Sequence, residues 1–229
     1  MQEIPNIGQP QRYESRNFIN SRFVEIKTSK CFNVQMQYSM LGMKNAEKQC
    51  WVREEVYEML LKAAIALPNG YRFKIFDAWR PFALQYELYT FYSASIVRDF
   101  KLEAYTPEQK KTVIKKFVSE PIEDREVPPV HTTGGAIDLT IETADGSEID
   151  MGTSFDAFTD KTKTAYFENE MNVAVRENRR LLFNIMTRVG FTNFPSEWWH
   201  FDYGDHFWAF YNKKPAIYGG VFTKEEIYA

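Results

Sequence analysis

The sequence predicts an α+β fold, an antiparallel sheet with helices packed on it, organised as one domain over residues 1–229. Three observations carry that expectation. Residues 46–67 and 168–189 space their apolar side chains as one face of a helix does. Residues 71–77 and 136–142 read as strands, the first by its alternation and the second by its apolar content. Helices and strands do not alternate regularly enough for a doubly wound parallel sheet. At 229 residues the chain lies at the upper end of what one domain holds, two small domains being the alternative.

In chain order, Val52, Val56, Met59, Leu60 and Ala63 line one side of the first helix, and Pro68-Asn69-Gly70 ends it with turn chemistry. The strand from Tyr71 to Asp77 follows. Pro81 opens a second helix running from about Phe82 towards Asp99, because proline is at home in a first helical turn. Thr106 reads as an N-cap with Pro107 at the first helical position, and Val113, Phe117 and Val118 share a face of that helix. After the strand at 136–142, Ala144-Asp145-Gly146 signals a hairpin whose return limb is 147–150. The helix over 168–189 turns Met171, Val175, Leu182, Met186 and Val189 to the core and Arg176, Arg179 and Arg180 to solvent, with Gly190 as its C′ residue. A last strand includes residues 198–203.

Hydrophobic residues at 44% and aromatics at 16% supply a sizeable core. With 28 basic and 31 acidic residues the net charge is -3, which leaves no basic excess for a phosphate backbone and excludes nucleic acid as a partner. No apolar stretch approaches the length that spans a bilayer, and the N-terminus MQEIPNIGQPQRYESRNF has no apolar core of a signal peptide. The expectation is a cytoplasmic protein with neither leader nor anchor. Cys31 and Cys50 read as reduced thiols rather than a disulfide framework.

The chemistry concentrates around two of only three histidines, His131, His200 and His206. In PPVHTTGGAIDLTI, Gly134 and Gly135 allow the chain to fold back, so that His131 on a loop and Asp138 on a strand converge. An imidazole nitrogen and a carboxylate oxygen are both good zinc ligands, and a carboxylate in an apolar strand needs a metal or a hydrogen-bond network to be there. In PSEWWHFDYGDH, Glu197 stands three residues before His200. Positions i and i+3 of a regular strand face opposite ways, so a bend, a bulge or the strand's start must bring both to one place. His131, Asp138 and His200 would then hold a metal and leave a fourth position to water, with Glu197 as the base. Singly, each segment reads equally as a satisfied histidine and a chance spacing; Trp198 and Trp199 read first as core.

Trp79-Arg80-Pro81, His131-x-x-Gly134-x-Ala136-x-Asp138, Met151-Gly152-x-x-Phe155-Asp156 and Glu197-Trp198-Trp199-His200 together resemble the VanX-type D-alanyl-D-alanine dipeptidases. Arg12-Tyr13 with Asn17-Phe18 is similar to the family's N-terminal signature, and Asn178-Arg179-Arg180-Leu181-Leu182, Ile185-Met186 and Gly190-Phe191 to its late helix. The resemblance runs from about residue 12 to 203 and leaves residues 90–125 without a counterpart, as an insertion. It implies the zinc D-Ala-D-Ala peptidase fold shared with the hedgehog signalling domain, one zinc per chain on His131, Asp138 and His200, and a small dipeptide as substrate. It also implies Glu197 as general base and Arg80 as the cation that stabilises the tetrahedral intermediate, where the residues alone would favour a surface salt bridge for Arg80. Tyr13 and Asp156 would contact the substrate's ammonium, although Asp156 reads equally as an N-cap. Trp79 and Trp198 would form a small apolar pocket.

One departure stands out. The family motif begins Ser-x-His, with serines that bind the substrate's carboxylate, and here those positions are Pro129 and Val130. Thr132 and Thr133 are the hydroxyls left to replace them. Two rival readings follow: a carboxypeptidase trimming D-alanine from cell-wall peptides, and a zinc-bearing domain without turnover. The first would work outside the cytoplasm, and the second has no need of Glu197 or Arg80.

Overall fold

The computed structural model describes residues 1–115, 118 and 121–228. In chain order the elements are β1 (Phe23–Ile26), β2 (Phe32–Val34), α1 (Gln37–Met40), β3 (Cys50–Arg53), α2 (Glu54–Ile65), β4 (Tyr71–Asp77), α3 (Phe82–Asp99), α4 (Pro107–Ile114), β5 (Ala136–Thr143), α5 (Val173–Arg188), β6 (Thr192–Asn193), β7 (His200–Asp202) and α6 (His206–Asn212). Two sheets form, a β1–β3 pair and a five-stranded sheet in the order β2-β4-β5-β7-β6. The α+β expectation holds. Its antiparallel character holds for every neighbour except β2, which runs parallel to β4 because α1, β3 and α2 carry the chain across between them.

Several elements differ from the sequence reading in instructive ways. The helix expected over 46–67 begins only at Glu54, because the apolar run Cys50–Val52 is claimed by pairing with β1. The late helix starts at Val173, capped by the Asn172 side chain, and Met171 is left 97% exposed rather than in the core. The helix after Thr106 forms with a full capping box between Thr106 and Gln109, as its Thr-Pro opening suggests. Phe117, assigned to that helix's apolar face, lies outside the described residues. The 144–146 turn forms around Gly146, but its return limb reduces to a single bridge between Glu142 and Glu148.

The core lies between the five-stranded sheet and helices α2 and α5. Val56, Leu60 and Ala63 of α2 and Leu182, Ile185 and Met186 of α5 meet Phe73, Ile75, Ile137, Leu139 and Ile141 of the sheet. Burying such side chains contributes about 1.5–3 kcal/mol each. This packing takes one face of β5 entirely, and the polar side chains of its other face are left to build a site.

Candidate active site

Asp138 on β5 stands opposite both Asp77 on β4 and His200 on β7. Directly opposed residues share a face, so these three polar side chains form a row across the sheet. Alternation along β5 puts Ala136, Asp138, Thr140 and Glu142 on this face, and Ile137, Leu139 and Ile141 in the core. A register shift between Ile75 and Asp77 marks a bulge, a device that re-aims side chains beside sites.

His131 reaches the row from a single 3₁₀ turn, Val130–Thr133. Gly134 follows with φ 74°, a left-handed conformation that turns the chain directly into β5. A Cβ on Gly134 would lie 2.3 Å from the Phe23 ring, and one on Gly135 would lie 2.4 Å from the Tyr203 carbonyl oxygen. Gly134→Ala is therefore expected to cost roughly 1–3 kcal/mol and lower the melting temperature. An unchanged melting temperature would mean that this turn does not fix the approach of His131.

The His131 Nε2 atom stands 3.2 Å from His200 Nδ1, which lies 2.9 Å from Asp138 Oδ1. The third separation, His131 Nε2 to Asp138 Oδ2, is 3.4 Å. All three residues are buried and close enough to share one ion. Their remaining ring nitrogens are engaged. His131 Nδ1 donates to the Ala78 carbonyl at 2.8 Å, and His200 Nε2 lies 2.8 Å from Asp202 Oδ1. A carbonyl only accepts, so the network assigns His131 its proton on Nδ1 and leaves Nε2 a bare lone pair. Asp202 orients His200 in the same sense. Two lone pairs and a carboxylate thus converge with no donor among them, an arrangement that a cation resolves. Bonds of about 2.0–2.1 Å in tetrahedral geometry would separate the ligands by about 3.3 Å, close to what these side chains show. A proton can stand in for the cation. Burial disfavours a charged His200, but Asp202 and Asp138 outweigh it and hold its pKa well above the histidine range, so metal binding displaces that proton.

Glu197 joins the site through two successive turns, Glu197 N–H donating to the Phe194 carbonyl at 3.0 Å and His200 N–H to the Glu197 carbonyl at 3.3 Å. These supply the bend that the i, i+3 spacing requires. Its Oε2 lies 3.9 Å from His200 Nδ1. The carboxylate opens into a cavity but is walled by protein, and burial pushes it up to about 7, against His200 and with help from Asp138 and Asp156.

Arg80 is buried, unlike a surface salt bridge. Its Nε donates to Asp77 Oδ2 at 2.8 Å and its Nη1 to Gln85 Oε1 at 2.7 Å, while Nη2 lies 2.8 Å from the same Asp77 oxygen and 3.8 Å from Asp138 Oδ2. Asp156 caps no helix; the 3₁₀ turn that follows it is capped by Thr159. Instead its Oδ2 accepts from the Tyr38 hydroxyl at 2.8 Å and the Tyr92 hydroxyl at 2.7 Å. Burial pushes this carboxyl up to about 6, against those two hydrogen bonds.

Arg80, His131, Asp138, Asp156, Glu197 and His200 all line one cavity of about 1090 Å³. Phe100, Lys115, Val118 and Ile122 of the 90–125 segment form part of its wall. Pro129 and Val130 line it too. The Thr132 and Thr133 hydroxyls do not face it, because they donate to the Pro129 and Val130 carbonyls at 2.7 and 2.6 Å. The third histidine, His206, also lines the cavity but turns Nε2 to the Pro128 carbonyl at 3.0 Å.

Three expected residues are placed elsewhere. Tyr13 packs edge-on against Phe210, with ring centroids 6.3 Å apart, and is not among the cavity's lining residues. Trp79 is buried with its indole N–H on the Val221 carbonyl at 2.8 Å, and Trp198 is buried with its N–H on Thr153 Oγ1 at 2.8 Å. Trp198 and Trp199 follow one another in a turn and are both buried in the core cluster, and of the two pairs only Arg80 and Trp199 also line the cavity. The sequence reading missed Asp77, Gln85, Asp202, Tyr38 and Tyr92. Asp202 had a readable signal, an acid two residues from His200 on the same strand face.

A family model described as D-ala-D-ala dipeptidase matches residues 37–216. The D-alanyl-D-alanine dipeptidase of Synechocystis sp. is 31% identical over 209 residues, covering 80% of this chain and 85% of that protein. The enzyme of the same name from Escherichia coli is 35% identical over 102 residues, covering 44% of this chain and 52% of that protein. Among solved structures, a vancomycin-resistance D,D-pentapeptidase VanY mutant in complex with Zn(II) is 18% identical with a TM-score of 0.39, over 70% of this chain and 76% of that one.

Proposed function

The chain belongs to the D-Ala-D-Ala dipeptidase family, and from that premise we propose that it is a zinc peptidase that hydrolyses D-alanyl-D-alanine or a closely related small dipeptide, with His131, Asp138 and His200 holding one zinc. The observation that carries the reading is the convergence of two histidine lone pairs and a carboxylate beside a raised carboxylate, Glu197, all facing one cavity. When bound, zinc supplies Lewis acidity and a water acidic enough to act as nucleophile near pH 7. Glu197, beside the ligand cluster and on the cavity wall, takes the proton of the attacking water and returns it to the leaving amine. Arg80, held protonated and braced by Asp77 and Gln85, offers its remaining N–H groups to the negative charge that grows on the carbonyl oxygen. Asp156 receives the substrate's free ammonium.

One buried cluster gathers residues from Ile26 to Tyr218, which supports a single functional domain. No helix among the described residues is long and apolar enough to cross a membrane. Two free cysteines fit the reducing cytoplasm. Hydrolysis of a panel of D,D-, L,D- and L,L-dipeptides, with and without chelator, tests the proposal. Chelator-sensitive cleavage of D-alanyl-D-alanine supports it; cleavage that survives full metal removal, or none of any dipeptide by the zinc-loaded enzyme, overturns it.

The cavity favours a second reading. At about 1090 Å³ it lies just above the range of about 300–1,000 Å³ that holds drug-sized ligands, and a dipeptide of two alanines fills a fraction of it. A carboxypeptidase acting on longer cell-wall peptides would use that room. A higher kcat/KM for a peptide ending in D-Ala-D-Ala than for the free dipeptide decides for it.

Loss of the serine hydroxyls has a consequence of its own. A hydrogen bond to a charged group is worth roughly 1.5–3 kcal/mol, about 10- to 150-fold in affinity. Val130→Ser restores a hydroxyl to the cavity wall without freeing Pro129 and is expected to lower KM for D-alanyl-D-alanine with kcat unchanged. An unchanged KM would place the carboxylate site away from this turn.

A further inference from the structure

Asp156 is held in a manner that its sequence neighbours do not explain. It occupies the left-handed region, φ 55°, which aspartate enters more readily than most non-glycine residues. Its carboxylate is held by two tyrosines distant in sequence. Tyr38, on α1, and Tyr92, on α3, both donate to Oδ2, at 2.8 and 2.7 Å. Neither ring is loose. Tyr38 is 4% exposed and packs on Phe155, with centroids 5.9 Å apart; Tyr92 meets Phe158 edge-on at 5.1 Å. The Tyr38 ring has a second neighbour, the Arg80 guanidinium, whose central carbon lies 5.0 Å from the ring centroid.

We propose that Tyr38 and Tyr92 are positioning residues for substrate binding: their hydroxyls jointly fix the Asp156 carboxylate, and the Tyr38 ring also supports Arg80, so that one side chain ties the ammonium end of the site to its charge-stabilising end. The inference rests on the reading of Asp156 as the ammonium site. With Oδ2 engaged twice, Oδ1 is the oxygen left for the substrate, which sets the direction from which an ammonium is met. Two donors on one oxygen also favour the charged carboxylate, the form that an ammonium requires. The charged and titratable groups around Asp156 are Tyr38, Tyr92, Arg80, Asp138 and Glu197. Arg80 acts with the two hydroxyls and Asp138 against them.

The test is steady-state kinetics of the zinc-loaded enzyme on D-alanyl-D-alanine between about pH 5 and 8, with Tyr92→Phe, Tyr38→Phe, Tyr38→Leu and Asp156→Asn. In the wild type, protonation of Asp156 as pH falls through about 6 should raise KM. Each phenylalanine variant should raise KM about 3- to 10-fold, leave kcat within about twofold, and move that rise in KM to higher pH, because the carboxylate has lost a donor. Tyr38→Leu should in addition lower kcat, since Arg80 loses its ring. A packing role alone would move melting temperature but not the pH of the rise. Unchanged KM and pH dependence in Tyr92→Phe, with Asp156→Asn still raising KM, overturns the positioning role and leaves the ammonium reading standing. An Asp156→Asn variant with wild-type KM overturns both. Tyr92 is half-buried and its phenylalanine variant keeps the ring, so the proposal remains decidable if a Tyr38 variant fails to fold.

Discussion

Zinc in a His131→Ala variant is expected to fall from about one per chain to near none, and dipeptide hydrolysis to fall with it to background. Catalytic zinc sites use three protein ligands, and removal of one leaves two, with a void where the ring stood. No other histidine can replace it: His206 is turned to the Pro128 carbonyl, and the chain has no fourth. The loss can be read without an activity assay. A ligand that binds only the folded state stabilises it by about 4 kcal/mol at a thousandfold its dissociation constant. For a protein of this size that is roughly 8–16 °C in melting temperature. Chelator should therefore lower the melting temperature of the wild type by that order and leave His131→Ala almost unmoved. Equal metal content in the two proteins, or equal chelator shifts, would remove His131 from the ligand set.

Glu197→Gln is expected to keep the metal and lose turnover by about 10²–10⁴-fold, the usual worth of general acid–base help. Glutamine preserves the size of the side chain and its place after the two turns at 194–200, but it cannot take a proton from water. Because Glu197 Oε2 stands 3.9 Å from His200 Nδ1, it is a neighbour of the ligand cluster rather than a member, so zinc content should stay at the wild-type level. KM should change little, since the carboxylate acts on the reacting proton and not on the substrate's charged ends. A variant that retains wild-type kcat would show the base to be another group. A variant that loses zinc as well would make Glu197 part of the metal site.

The grouping of His131, Asp138 and His200 is legible in the chain because histidine is so scarce in it. Two of three histidines stand in segments that carry, respectively, a Gly-Gly turn into an apolar strand and a nearby acid. Local devices were readable for the same reason that they are local: Thr106 and Gln109 close a capping box within one turn, and Gly146 turns the chain after β5. By itself, then, the sequence determined the fold class, the helical face of α2, and the two segments that bring His131, Asp138 and His200 together; on α5 it set Arg179 in solvent and Met171 in the core, whereas the fold buries Arg179 on the Met151, Lys161 and Lys163 carbonyls and exposes Met171. Tertiary structure alone decided the rest. It chose Cys50–Arg53 as a strand, since pairing with β1 outweighs the helical spacing beyond it. It left Arg80 and Trp199 lining the cavity and buried Trp79 and Trp198 away from it, through the irregular segments that follow β4 and precede β7 and not through residue type. It placed Tyr38 and Tyr92 on Asp156 across separations of 118 and 64 residues, which no periodicity encodes. A side chain's chemistry and its short-range spacing are written in the chain. The partner it meets depends on how sheets and helices pack, which only the folded core settles.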